Sequence, residues 1–314
     1  MQHLLDFVEE GFTVEKRRMR MCERLLECVA RGILSSSKVD HQFLLVLFYG
    51  IMDDLNAAIL EREAKLEAFK DGLGISTRAT LAENEGDDQE QRDFLVLEVK
   101  AGFALTVLWK LIKGGSLGEG LSKEDYLKLL DPWTGLLAPV LRSRKASLVV
   151  LALKCLNRLY MLPLGTNGEL APKAAQEALT ILRRNPKLSD PAAQECLQLL
   201  PILLKHYERY SPTQTQLNFL IRLVSPDIEK TENQNGLFSF LKAVISRGIV
   251  LPSVYDLMDK VSAVVLSSGS DSTRRTAGQV FLMYLLDYPM NDNRRKHHLE
   301  FVVKNSDFAH EAGR

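Results

Sequence analysis

Cysteine is scarce in this 314-residue chain, and the four present (Cys22, Cys28, Cys155 and Cys196) include no CxxC pair. On a helix the gap from Cys22 to Cys28 puts those two side chains on different faces. The pattern excludes a disulfide framework or a zinc site as the organising device, and it fits a reducing intracellular compartment. The six histidines (His3, His41, His206, His297, His298 and His310) are scattered, with no H-E-x-x-H and no cysteine or carboxylate at metal-ligand spacing. His297 and His298 are adjacent and must diverge on a helix, so structural or surface roles fit them all. No nucleophile elbow is present and no Ser or Cys sits in a catalytic context. The chain therefore offers no catalytic, cofactor-binding or metal-binding residues, and no small-molecule substrate is expected.

Long apolar runs are missing too. The first residues are broken by Asp6, Glu9 and Glu10, so no signal peptide is visible. The best spanning candidate, Phe94 to Lys113, carries Glu98, Lys100 and Lys110, which a bilayer centre would penalise by roughly 2.5 to 3.5 kcal/mol each. It reads as a buried core helix, and no membrane partner is expected. All eleven prolines lie at or after Pro132, which predicts longer, uninterrupted helices before it. The glycine-rich stretch after Gly114 has G-x-x-x-x-G spacing from Gly115 to Gly120, but Leu121 stands where a phosphate loop needs lysine. That stretch is expected to be a plain connection between helices.

Net charge is zero, but unevenly so. Residues 1 to 93 hold 12 Lys and Arg against 19 Asp and Glu, and the remainder carries the opposite imbalance. The acidic excess peaks between Asp71 and Asp93, in the run ENEGDDQEQRD and its glycine-containing flank, which reads as a flexible loop. This divides the chain into a helical segment (1–70), an acidic flexible loop (71–93) and helical repeats (94–314), the last of them truncated.

What is abundant is helical periodicity. Val254, Leu257, Met258, Val261, Val264 and Val265 follow the i, i+3, i+4, i+7 rule, and no stretch sustains strand-type alternation. Asp131-Pro132, Asp190-Pro191 and Ser211-Pro212 each read as a capping side chain before a proline at the first helical position, and Arg247-Gly248 as a cationic, left-handed stop. Helices with a polar opening and an apolar body recur near Ala146 (ASLVVLALKCL), Asp190 (DPAAQECLQLL), Glu232 (ENQNGLFSFLKAV) and Asp271 (DSTRRTAGQVFLMYLL), with one further helix between each pair. A helix pair every 40 or so residues is the period of HEAT and armadillo arrays. The fold class is all-α, an α-solenoid of HEAT/armadillo-like helical repeats.

Basic clusters remain as functional candidates: Lys16-Arg17-Arg18 with Arg20, Arg142 with Arg144-Lys145, Arg183-Arg184, Arg274-Arg275 and Arg294-Arg295-Lys296. A cluster on a helix is commonly a solvated face. The alternative is that Arg144, Arg274 and their neighbours, at the starts of stacked helices, make a ridge for RNA phosphates or acidic partner segments. Arg274, Arg275, Arg294, Arg295 and Lys296 are the RNA- or partner-contact candidates. Aromatic residues do not interleave with these clusters, so contact through the RNA backbone is expected rather than base reading. Asp287 breaks a local rule, being an acid in the last turn of a helix where the macrodipole disfavours it. A bridge to Arg294, Arg295 or Lys296, or to a backbone N–H at the next helix start, is predicted.

The C-terminal quarter carries a specific resemblance. Residues 236 to 314 contain LFSFLKAVISRGIVLPSVYDLMDKV, RRTAGQVFLMYLLDYP, HLEF and FAHEAGR in that order. The chain here resembles the U-three small nucleolar RNA-associated protein twenty family, also called down-regulated in metastasis, which usually reads HESGR where this chain has HEAGR. Ala312 is one departure and the polar insert NDNRRKH before HLEF is another. The resemblance implies a piece of a much longer, non-enzymatic α-solenoid scaffold of the nucleolar small-subunit processome. It further implies processome proteins and the backbone of pre-rRNA or U-three snoRNA as partners, with pre-rRNA (18S) processing and 40S subunit biogenesis as the role, and no cofactor. The reading from another class is a HEAT-repeat adaptor or nuclear transport receptor that binds protein cargo.

Overall fold

Helices form where the apolar period and the caps coincide. The computed structural model describes residues 41–72, 85–114, 122–225 and 234–305. Among them are eleven α-helices and no strand: α1 (His41–Gly72), α2 (Glu85–Gly114), α3 (Lys123–Val140), α4 (Ala146–Leu159), α5 (Asn167–Arg184), α6 (Pro191–His206), α7 (Gln214–Val224), α8 (Gln234–Ser246), α9 (Pro252–Ser267), α10 (Asp271–Asp287) and α11 (Asp292–Asn305). The proline-free part holds the two longest, of 32 and 30 residues. None of the described helices is long and apolar enough to cross a membrane. The glycine-rich stretch at 115–121, Cys22, Cys28, His3, His310 and the Lys16–Arg20 cluster lie outside the described residues.

Caps decide several boundaries differently from the sequence reading. Asp190 does cap α6 before Pro191, accepting from the backbone N–H groups of Ala192 and Ala193. Asp131-Pro132, however, lies inside α3, because Ser122 already caps that helix through Asp125 N–H. Asp131 instead accepts from the backbone N–H and the hydroxyl of Thr166, just ahead of α5, and Pro132 costs α3 one ladder bond. Ser211-Pro212 likewise precedes the true start of α7. Thr213 and Gln216 form a reciprocal capping box there, satisfying two orphan donors at once. Gly248 has φ +60°, the left-handed stop expected after α8, with Gly248 N–H donating to Ile245 and Ile249 N–H to Val244. The acidic stretch at 71–93 is helical at both ends: residues 71 and 72 close α1 and residues 85–93 open α2. Acidic sequence suits the N-terminal turns of a helix through the macrodipole, and residues 73–84 lie outside the described set.

Packing divides the chain into two compact units, Met1–Leu170 and Ala171–Arg314. The division falls inside the segment read as one repeat array. In the first unit α1 packs on α2 and α3, and α4 packs on α2 and α3. Alternate helices run parallel. Asn56 donates to Leu136 O at 2.8 Å and Glu63 meets Arg142 at 3.0 Å, one level further along both α1 and the end of α3. Similarly Gly102 abuts Leu148, and Cys155 lies 3.8 Å from Leu105 O, on α2 and α4. The run from Phe94 is indeed a core helix: Val99, Phe103, Leu105, Val107, Leu108 and Leu111 are buried, each large side chain contributing about 1.5–3 kcal/mol of burial. Glu98 is buried with them and accepts from the Ser143 hydroxyl at 3.1 Å. Burial raises its carboxyl pKa, which Ser143, Lys145 and Arg62 offset in part.

The second unit repeats the scheme. One row runs α6, α8, α10 and the other α5, α7, α9, α11. Along the first row Gly236 sits against Leu197, where an added Cβ would stand 3.3 Å from the leucine, and Arg247 donates to Leu204 O at 3.2 Å. Along the second row Ser253 donates to Asn218 and Lys260 to Ser225, both at 2.7 Å. Each pair of contacts ascends both helices together, so stacked neighbours are parallel while consecutive helices are antiparallel. The predicted starts near 146, 190, 232 and 271 correspond to α4, α6, α8 and α10. The fold is therefore all-α and built as an α-solenoid of helical repeats.

Candidate nucleic-acid interface

The five basic candidates of the second unit do not converge. Arg274 and Arg275 open α10, whereas Arg294 lies beside Tyr255, which in turn contacts Tyr284 and Tyr288 in the last turn of α10 and just after it. The length of helix between the two clusters is about 20 Å at 1.5 Å per residue. Their states also differ. Arg274 is one-third exposed, donates to Ser268 O at 2.9 Å and pairs with Asp271, so it fastens the turn before α10. Arg294 is half-buried with its guanidinium 4.4 Å over the Tyr255 ring, and one of its terminal nitrogens is buried without a hydrogen bond. Arg275 and Arg295 are exposed with no ion pair or hydrogen bond among the described residues. Lys296 is exposed and meets Glu300 only at 4.0 Å, a surface pair worth about 0–1 kcal/mol. The cations open to an anionic partner are thus Arg275, Arg295 and Lys296.

Arg294 turns inward because α11 docks through one face. Its neighbours on that face are His298 and Phe301. The His298 ring stands 5.5 Å from Phe281 and 5.4 Å from Tyr284, and Phe301 stands 5.6 Å from Phe281. The inward draw of Arg294 also explains why the predicted bridge from Asp287 is absent. Asp287 is exposed, with no partner among the described residues. The turn that follows it is held instead by Tyr288, whose hydroxyl donates to Ile249 O at 2.8 Å and accepts from Leu251 N–H at 3.0 Å. Burial raises the Tyr288 phenol pKa, and pushes that of Tyr284 up to about 12 despite the Arg294 guanidinium beside it.

His298 is 2% exposed, with Nε2 3.7 Å from Asp259 and 3.5 Å from the Tyr284 hydroxyl. Burial lowers its pKa. The Asp259 carboxylate opposes that shift, while His297 and Arg294 reinforce it. An imidazole with a depressed folded-state pKa is protonated more readily in the unfolded chain. Stability should therefore be complete above the unfolded value of about 6.5 and fall as the pH drops below it. A His298→Phe variant should lose part of that acid dependence, as read by unfolding at pH 7.5 and 5.5. An identical pH dependence in both proteins would contradict the assignment.

In the first unit Arg142 is tied to Glu63, and Arg144 is exposed. A further constellation there was not read from the sequence. Trp109 on α2 is half-buried, with Lys113 Nζ 5.9 Å and the Arg158 guanidinium 6.0 Å from its ring centre. The lysines one and four residues after Trp109 were a visible signal, but Arg158 arrives from α4, which only the parallel packing of α2 and α4 reveals. Cys155 and Cys196 are free and buried, and burial raises both thiol pKa values, so neither is poised as a nucleophile. Among the described residues no group of three or more His, Cys, Asp or Glu could hold a metal ion.

No family model matches the chain. Two curated relatives do. The U3 small nucleolar RNA-associated protein 20 of Schizosaccharomyces pombe is 28% identical over 138 residues, 44% of this chain and 6% of that protein. The protein of the same name from Saccharomyces cerevisiae is 26% identical over 186 residues, 59% of this chain and 7% of that protein. Both matches are longer than the C-terminal quarter on which the motif resemblance rests. The two yeast proteins carry the name of the family that the C-terminal motifs resemble, and the chain matches less than a tenth of the length of either.

Proposed function

We propose that this chain is a non-enzymatic α-solenoid scaffold segment of the nucleolar small-subunit processome, supporting 18S pre-rRNA processing and 40S subunit biogenesis. The observation that carries the reading is the match of up to 59% of the chain to a protein named for its association with U3 small nucleolar RNA. Parallel helix rows support it physically, because stacked repeats expose an extended surface with no need of a pocket. On this reading RNA or acidic partner segments are met through exposed cations, with Arg275, Arg295 and Lys296 as the contacts in the second unit and Arg274 and Arg294 supporting the ends of α10 and α11.

Depletion of the protein should lower mature 18S rRNA relative to large-subunit rRNA and accumulate 18S precursors, as read by hybridisation to total RNA. An unchanged ratio would defeat the proposal. Replacing Arg275, Arg295 and Lys296 together by Glu should weaken RNA binding and reduce the slope of log affinity against log salt by about 0.7 to 0.9 for each lost phosphate contact. An unaltered slope would return these residues to an ordinary solvated face.

A further inference from the structure

We propose that Trp109, Lys113 and Arg158 form a binding site for an unpaired RNA base, the base stacking on the indole while the two cations hold its flanking phosphates. The proposal rests on the RNA-scaffold reading and adds a base-stacking contact, which the basic clusters of the sequence lack. Three observations carry it.

The first is the state of the indole. Of the two tryptophans, Trp133 is 1% exposed and fully committed to the core, whereas Trp109 is half-buried and keeps part of its ring in solvent. The second is spacing. Where a cation closes on a ring in this unit the contact is tight, as for Arg62 at 3.7 Å over Phe94. Lys113 and Arg158 stand off at 5.9 and 6.0 Å. A base is about 3.4 Å thick, judged by the rise between stacked bases in a strand. That thickness is less than the stand-off of either cation from the ring centre, so a base can lie against the indole while each long side chain swings to a flanking phosphate. Both are exposed and free to do so. The third is charge. No carboxylate occurs from Val99 to Gly114 or from Ala146 to Leu159, the stretches of α2 and α4 that meet here, while Lys110, Lys113, Lys154 and Arg158 all do. An acidic peptide would use the cations but not the flat ring. An aromatic face beside unopposed cations suits a base and its phosphates, the arrangement by which proteins hold single strands without sequence reading.

The test is a fluorescence titration of the full chain with a 12-nucleotide oligouridylate. Stacking should quench the indole emission, and in Trp109→Phe the remaining emission, from buried Trp133, should not respond. Trp109→Ala should weaken binding about tenfold. The Lys113→Gln/Arg158→Gln double variant should lower the salt slope by about 1.4, at 0.7 per single-strand phosphate contact. Undiminished quenching in Trp109→Phe, affinities within twofold across the variants, or equal binding of an oligoglutamate peptide would each overturn the site. Such a failure would leave U3 association untouched as a separate measurement. Conversely, loss of U3 association with intact stacking would reject the scaffold reading and spare the site.

Discussion

Asn167→Ala is expected to destabilise the first unit by about 3 kcal/mol, more than any surface change in it. Asn167 is fully buried and its carboxamide joins three pieces of chain. The oxygen accepts from the equally buried Thr134 hydroxyl of α3 at 2.8 Å, and the nitrogen donates to Leu159 O at 3.0 Å and to Leu162 O at 3.2 Å, where α4 ends. Alanine would strand the buried Thr134 hydroxyl, which costs about 1–3 kcal/mol, and would remove one of the two bonds accepted by each carbonyl, Leu159 O and Leu162 O keeping only the backbone N–H groups of Leu162 and Leu164. For a unit of this size a 3 kcal/mol loss is a fall in Tm of roughly 6–12 °C. Thr134→Val should be milder alone and should cost less than additively in the Asn167→Ala background, since the two share one bond. A loss below about 1 kcal/mol in Asn167→Ala would mean that water replaces the carboxamide.

Tyr284→Ala should release α11. Tyr284 is fully buried, and its ring meets Tyr255, Phe281, Tyr288 and His298 at centroid distances of 5.4 to 6.3 Å. Truncating a buried aromatic side chain to alanine costs about 3–5 kcal/mol, and here the cavity opens directly under His298. Hydrogen exchange should therefore accelerate across residues 292–305 well before it does in α6 or α8. Leu286→Ala, on a side chain 73% exposed, should change stability by no more than about 0.5 kcal/mol. Equal exchange in α11 and α6 would show that the ring cluster does not set the docking of the last described helix.

Much of the architecture was legible because one period recurs: the apolar bodies near 146, 190, 232 and 271 became helices α4, α6, α8 and α10, the last three of them stacked in one row of the second unit. Local punctuation was less dependable. Asp190-Pro191 and Asp131-Pro132 look alike in isolation, but only the first is preceded by a loop. The second lies eight residues into a helix that Ser122 had already started. Pairing was invisible where it depended on which residue of a run faces inward. Within Arg294-Arg295-Lys296 one residue joins an aromatic cluster and two stay in solvent, a split set by the docking face of α11 and not by composition. The Trp109 constellation was hidden for a related reason, since half of its charge comes from a different helix.

The most direct test of the scaffold account is recovery of RNA with the tagged chain from nucleolar extract after ultraviolet crosslinking. The account predicts enrichment of U3 small nucleolar RNA and 18S precursors, diminished by charge reversal at Arg275, Arg295 and Lys296. Recovery of a small GTPase or cargo protein with no U3 enrichment would contradict it and point to a transport-type solenoid.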